Sequence, residues 1–345
     1  MSAGNGPWKW TVGTFYRDYH TVHISSPYYF GLPDSAPGPL PPPLPGFVDP
    51  NTSHSYAFFG DTSYAFFNRL TLGVGLRTYH DNQSVPQQTA TFHSIDPRYY
   101  VDFKLTDKSN IYASAGKGFR SGGFNAVGQP TYGPETVWTY ELGTKTSLIE
   151  HILSVDADLF YSNYNGYQTA AALPPSFLLQ TGNVGAAKIK GVETTFVFRP
   201  VEGWTVSLNG DRLDAYVTSI GDALSATISL LPGDKLDYVP RYQATASIQH
   251  DVTWNGRAIF TRVDYNLEGP STLIVRNGGP WYRSESDVIN MLNASAGIQW
   301  NDNLSMGLFA QNLIDVRGYT EPDVIEMAAN RARPRTFGFN FGVKF

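Results

Sequence analysis

The feature that most constrains this chain is a two-residue rhythm of apolar and polar side chains, interrupted by connections that are short at every second place. Near one end Phe337, Phe339, Phe341, Val343 and Phe345 alternate with Gly338, Asn340, Gly342 and Lys344. Leu70, Leu72, Val74 and Leu76 alternate with Thr71, Gly73, Gly75 and Arg77, and Tyr242, Ala244, Ala246 and Ile248 with Gln243, Thr245, Ser247 and Gln249. Successive side chains of a strand point to opposite faces, so each stretch reads as a strand with one apolar face. Charges keep to the other face: Asp156 and Asp158 fall between Val155, Ala157, Leu159 and Tyr161, while Glu141 and Lys145 oppose Trp138, Tyr140 and Leu142. Helical spacing is sparse, and the chain is predicted to be all-β.

Alternation fits both a soluble sandwich and a barrel with a wet interior, so the connections have to decide. About fourteen strands are predicted, near residues 8–19, 54–66, 69–80, 94–105, 109–119, 136–148, 152–165, 188–199, 204–216, 240–252, 257–265, 289–300, 304–312 and 335–345. Tight turns are expected at Phe67-Asn68, Thr106-Asp107-Lys108, Ile149-Glu150-His151, Pro200 to Gly203, Trp254-Asn255-Gly256 and Asn301-Asp302-Asn303, with long loops between them. A sandwich has no reason to sort its connections this way. A meander across a membrane does, with short turns on the periplasmic side and long loops outside. The predicted fold is an antiparallel transmembrane up-and-down β-barrel.

The composition agrees. No run of about 18 apolar residues exists for a spanning helix, and only a helix or a closed barrel satisfies every backbone group in lipid. Trp8, Trp10 and Tyr16 share one strand face and Trp300 ends a strand at a short turn, as interfacial aromatic girdles require. The formal net charge of −5 gives no footprint for nucleic acid, and the absence of cysteine excludes disulfides and thiolate chemistry. The stretch beginning at Met1 carries neither a basic nor an apolar leader, so no signal peptide is expected in these 345 residues.

The segment Ile111-Tyr112-Ala113-Ser114-Ala115-Gly116-Lys117-Gly118-Phe119-Arg120-Ser121-Gly122-Gly123-Phe124-Asn125 resembles the strand-and-loop motif of TonB-dependent outer-membrane receptors. Thr139 to Lys145 (TYELGTK), Lys190-Gly191-Val192-Glu193, Gln311-Asn312-Leu313 and a last strand ending in Phe345 follow in that family's order. The resemblance implies a 22-stranded barrel around an N-terminal plug, located in the bacterial outer membrane. It further implies uptake of ferric siderophores or a similar scarce ligand, driven by TonB through the plug. Residues 1–345 would be the C-terminal part of such a barrel, with the plug and about eight strands lacking. The alternative is a passive pore of about fourteen strands in which strand 8–19 pairs with strand 335–345.

The glycine-rich run from Gly116 to Gly123 lacks the helix that a phosphate loop needs, and reads as a strand leaving for an external loop with Arg120 near the mouth. Arg120, Trp281, Tyr282, Arg283, Tyr319, Arg331 and Arg333 are the candidate contacts for an aromatic, anionic ligand. The proline-rich stretch Pro33 to Pro45 is expected to be a stiff external loop. Histidines are scattered, with His20 and His23 on opposite strand faces, so no metal site is expected. Asp156 and Asp158, about 7 Å apart on one strand face, read as a solvated lumenal pair rather than a glycosidase couple. No catalytic residue and no cofactor are assigned. Phe345 resembles the assembly signal read by the outer-membrane insertion machinery, and lipid covers the apolar face.

Overall fold

A computed structural model describes residues 2–3, 6–25, 47–125, 129–173, 178–221, 231–275, 282–322 and 330–344. In chain order the strands are β1 (Ser2–Ala3), β2 (Trp8–Ser25), β3 (Phe47–Phe66), β4 (Leu70–Val85), β5 (Gln88–Thr106), β6 (Ser109–Arg120), β7 (Glu135–Ile149), β8 (Leu153–Asn165), β9 (Gln168–Leu173) and β10 (Leu178–Asn183). They continue with β11 (Gly185–Phe198), β12 (Trp204–Ile220), β13 (Tyr242–Trp254), β14 (Arg257–Glu268), β15 (Thr272–Val275), β16 (Tyr282–Glu285), β17 (Ile289–Asn301), β18 (Leu304–Gln311) and β19 (Thr336–Val343). Apart from the hairpins β9–β10 and β15–β16, all of them form one antiparallel sheet of 15 strands in chain order. Its long strands are the predicted meander. Among the described residues no ladder joins β19 back to β2, and no helix occurs.

Each ladder keeps the apolar positions in one row. Leu72, Val101, Ala113, Leu142, Leu159, Val192 and Arg212 follow one another across β4 to β12 on one face. On that face large apolar side chains stand exposed, Leu308 at 68% and Phe339 at 76% among them, which in water would be a severe liability and in lipid is the required surface. The opposite face is polar, and Ser53, Ser55, Asp81, Ser94 and Asp96 are buried there although the sheet is one layer thick. Side chains of a single sheet bury one another only on its concave side, so the polar face is the inner one.

Small residues on the inner face have a packing role that alternation did not show. Gly13, Gly73, Gly143, Gly297 and Gly338 lie directly opposite Phe59, Tyr100, Tyr112, Phe260 and Phe309. A Cβ at Gly73 would sit 2.0 Å from the Tyr100 ring, and one at Gly338 2.3 Å from the Phe309 ring. Each aromatic ring therefore lies flat across its glycine and seals a gap in the wall.

The tight turns have the backbone their sequences allow. Asn255 and Gly256 take φ of 49° and 76° in a two-residue turn between the paired Trp254 and Arg257, while Phe67 and Asn68 take 52° and 56° in a three-residue loop between the paired Phe66 and Leu70. The predicted loop between residues 80 and 94 is a correction. β4 and β5 run on past it and meet at Pro86-Gln87, and β2 and β3 likewise extend to Ser25 and from Phe47. The extensions of β4 and β5 are largely polar on both sides because both sides face water beyond the membrane, so they lack the alternation that marks a half-buried strand. The hairpins β9–β10 and β15–β16 likewise stand where long loops are expected, in strands of only four to six residues that are too short to show a period. Pro33 to Pro45 lie outside the described residues.

Candidate functional site

The inner face carries the charges expected of it. Asp158 lies directly opposite Glu193, and Glu193 opposite Asp211, so three carboxylates form a row across β8, β11 and β12. Glu141, which accepts a bond from Ser114 Oγ at 3.0 Å, and Asp156 extend the acidic area, and Lys145 pairs across the ladder with Asp156. Like charges directly opposite one another are unfavourable, so this row needs water or a cationic surface in front of it.

Toward the end with long loops the inner face becomes a dense polar network. Asp81, 1% exposed, accepts from Ser53 Oγ at 2.7 Å, Ser121 Oγ at 2.8 Å and Gln83 Nε2 at 2.9 Å. The segment after β6 is tied down by its own motif: Asn125 Nδ2 donates to the carbonyls of Pro130 at 2.7 Å and Thr181 at 2.8 Å, while its Oδ1 accepts from Thr181 N. Gly122 and Gly123 allow Tyr132 to approach, since a Cβ on Gly122 would lie 2.3 Å from the Tyr132 carbonyl oxygen. Gln168 Nε2 bridges the Ser121 and Gly133 carbonyls. The glycine-rich run thus anchors a loop.

The candidate contacts fall into separate groups. Arg120 ends β6 on the inner face, opposite Glu135, whose carboxylate accepts the backbone N–H of Gln168 at 2.5 Å. Tyr319 and Arg331 come together: Arg331 Nη2 donates to the Tyr319 hydroxyl at 2.6 Å, and its guanidinium lies 4.6 Å from the Tyr319 ring centroid. Arg333 lends its carbonyl to Asn312 Nδ2. Arg283 shares Glu285 with Arg241, at 2.5 and 2.6 Å. Arg241 is a residue that sequence reading missed, for it stands alone beside Pro240 and only the fold brings it to the β15–β16 hairpin. Arg283 first, then Arg241, holds the Glu285 carboxyl below its ordinary range. Tyr282 opens β16, and Trp281 and Phe345 lie outside the described residues. In the sheet order six strands lie between β6, which carries Arg120, and β17, whereas Tyr319 is bonded to Asp287 just after β16, Asp287 N to Tyr319 O at 2.9 Å and Tyr319 N to Asp287 Oδ2 at 2.8 Å.

Two further titratable features emerge. His20 Nε2 and His54 Nδ1 both approach Asp18 Oδ1, at 2.9 and 3.2 Å, so these histidines are gathered rather than scattered; among the described residues no group suits a metal ion. Asp237 accepts from Ile274 N at 3.3 Å, and burial, helped by Asp234, pushes its carboxyl up to about 6. A carboxyl raised from 3.8 favours its neutral form when folded, so its stabilisation is complete below about pH 3.8 and is lost as pH rises through about 6. The hinge of the β15–β16 hairpin is expected to resist limited proteolysis better at pH 4.5 than at pH 7, and Asp237→Asn to remove that difference.

One end of the sheet closed by tight turns, an apolar outer belt, a polar inner face and long anchored loops at the other end describe an outer-membrane barrel wall. The model of the family described as TonB dependent receptor-like, beta-barrel matches residues 2–313. The chain belongs to this family. Its members are receptors and transporters of the outer membrane rather than enzymes. The chain is 24% identical over 317 residues to the pesticin receptor of Yersinia pestis, covering 85% of this chain and 44% of that protein. A probable TonB-dependent siderophore receptor, PiuA of Acinetobacter baumannii, is 27% identical over 160 residues, which is 42% of this chain and 21% of that one. The crystal structure of the ferric yersiniabactin uptake receptor FyuA from Yersinia pestis superposes with a TM-score of 0.80 at 20% identity, over 99% of this chain and 52% of that one. The chain thus spans about half the length of the relatives it matches.

Proposed function

We propose that this TonB-dependent receptor barrel is the C-terminal part of the wall of a 22-stranded receptor that takes up ferric siderophores or a similar scarce ligand, with TonB acting through a plug domain. The share of the solved receptor that the chain covers, 52%, supports a larger wall, as does the lack of a ladder between β19 and β2 among the described residues. A plug surface bearing cations would complement the inner carboxylates Asp158, Glu193 and Asp211.

The observation that carries the ligand reading is the Tyr319–Arg331 pair, an aromatic ring with a guanidinium on it at the open end of the wall, near the Arg241–Glu285–Arg283 cluster. Such a pair suits a flat, aromatic, anionic ferric chelate, by stacking and by charge-assisted hydrogen bonds. Arg120 would meet the ligand from the other group, with Tyr282 of β16, Arg333 and Trp281 as further candidate contacts. In the chain refolded into phosphatidylcholine vesicles, ferric catecholate, hydroxamate and phenolate complexes should quench intrinsic fluorescence to different extents. Arg331→Gln is expected to weaken the best of them about tenfold, the scale of one charge-assisted bond. Equal affinity of variant and parent for every complex would remove this pair from the site.

Phe345 is proposed as the signal for the barrel-assembly machinery. Its deletion is expected to lower the heat-modifiable, membrane-inserted fraction in cells severalfold while leaving refolding into vesicles unchanged; an unaltered fraction in cells would exclude the role.

A further inference from the structure

Most charges on the outer face stand singly, such as Lys117 opposite Trp138, but at one place several cations gather. On β11 Lys188 and Lys190, and on β12 Arg212, share the face of Leu159, Val192 and Leu208, and Lys235 joins them from the segment that runs along the free edge of upper β12. That segment is bonded to β12 through Gly233 N to Val217 O, Val217 N to Asp234 O and Leu236 N to Ala215 O, so Leu236 turns inward and Lys235 outward. Lys190 lies 3.2 Å from Asp214, to which Lys235 also bonds, and both ammonium groups sit over the Tyr216 ring at 5.7 and 5.8 Å. Lys188 lies over Tyr161 at 5.8 Å. Asp214 pairs with two of these four cations, Lys190 and Lys235. A cleft of about 670 Å³ opens beside them, lined by Arg212, Asp214, Lys235, Arg241 and Tyr242.

Height decides what this patch meets. Lys190 and Lys188 stand eight and ten residues from Phe198, where β11 reaches its tight turn, and Arg212 and Asp214 stand eight and ten from Trp204. At about 3.3 Å per residue along strands tilted about 40°, that places them roughly 20–25 Å above the turns, at the outer rim of an apolar band about 25 Å tall. Lysine and arginine cost little at that depth and would be costly in mid-bilayer. They meet the headgroups of the outer leaflet there, with tyrosines flanking them as in an interfacial belt.

We propose that Lys188, Lys190, Arg212 and Lys235 form a binding site for the phosphorylated headgroup of an outer-leaflet lipid, seated in the cleft beside β12. Three lysines present convergent ammonium donors, Arg212 can hold a phosphate with two parallel bonds, and Asp214 keeps Lys190 and Lys235 in place. The site goes beyond the ligand reading, because its four cations face lipid and none of them belongs to the Tyr319–Arg331 pair or to the Arg241–Glu285–Arg283 cluster, of which only Arg241 reaches the cleft.

The test is native mass spectrometry of the full chain in neutral detergent, titrated with phosphatidic acid or phosphatidylcholine. The parent is expected to bind phosphatidic acid about tenfold more tightly, and to lose that preference in 0.5 M salt, where charges are screened within about 4 Å. The Lys188→Gln, Lys190→Gln, Arg212→Gln triple variant is expected to bind both lipids alike, whereas inner-face Lys145→Gln with Arg262→Gln should match the parent. Should the triple variant not give a heat-modifiable barrel, Arg212→Gln alone is expected to weaken phosphatidic acid about threefold. Absence of preference in the parent, or preference kept in the variants, overturns the proposal. Displacement of phosphatidic acid by millimolar inorganic phosphate would overturn it too, since it would make this a site for free anions.

Discussion

Leu308→Lys is expected to destabilise the membrane-embedded chain by about 2–4 kcal/mol, whereas Asn340→Lys, one strand away on the other face, is expected to change its stability by less than about 0.5 kcal/mol. Leu308 is 68% exposed and sits between Ala296 and Phe339 in the ladders of β17, β18 and β19. It stands four residues above Leu304, where β18 leaves its tight turn, which is roughly 10 Å into an apolar band about 25 Å tall. A lysine there has lipid on every open side. Asn340, opposite Gly307, faces the inner side, where Lys145 and Arg262 already stand. Denaturant titration of the two variants in phosphatidylcholine vesicles separates the faces; equal costs, or a larger cost for Asn340→Lys, would mean that the wall is turned the other way round.

Asn312→Ala is expected to cost about 2–4 kcal/mol and to release the loop between β18 and β19. Asn312 is 2% exposed and has φ of 51°, a conformation that asparagine tolerates far better than alanine. Its Nδ2 donates to the carbonyls of Val316 and Arg333, both at 2.8 Å, and its Oδ1 accepts from Val316 N at 2.8 Å. The main chain on either side is held as well, Asn312 N by Asn293 Oδ1 at 2.9 Å and Leu313 N by the Leu292 carbonyl at 2.7 Å. Alanine leaves these carbonyls and the Val316 N–H without partners away from water. Hydrogen exchange should show the Val316 amide losing protection in the variant while amides of β13 keep theirs. Because Arg333 hangs on the same asparagine and Arg331 lies two residues before it, the ligand-binding assay should fall with it.

The same two residues show how much was legible in advance. Leu308 sits in no motif, yet its face follows from period two, because a strand has only two faces and a one-residue slip would put charges into lipid. That constraint acts within each strand, so the long strands and their tight turns could be read from adjacent residues alone. Asn312 stood in the recognisable Gln311-Asn312-Leu313 motif, and the structure supplies its cause: a buried amide that closes one turn on two carbonyls. Asn125 in the glycine-rich motif acts likewise. Both motifs therefore mark places where the loops are fastened to the wall.

Beyond the membrane the strands carry no such signal. With water on both faces a strand gains nothing from alternation, so the upper parts of β4 and β5 looked like loops, as did the short strands of the hairpins β9–β10 and β15–β16. The candidate site suffers most from this, being made of such segments. Tyr319 and Arg331 could be named as residue types, but their contact, Arg241 at Glu285, and the histidines on Asp18 depend on how distant segments fold back.

The alternating strands, their order, the face that each presents to lipid and the end that carries the tight turns are written in adjacent residues, because these rest on the two-fold period of a strand and on a solvent with no hydrogen-bond partners. Which inner aromatic covers which glycine, which carboxylates stand in line across β8, β11 and β12, and which cations gather beside Tyr216 follow from the folded sheet alone. Those depend on ladder register and on backbone hydrogen bonds between residues far apart in the chain, and no local pattern carries that information.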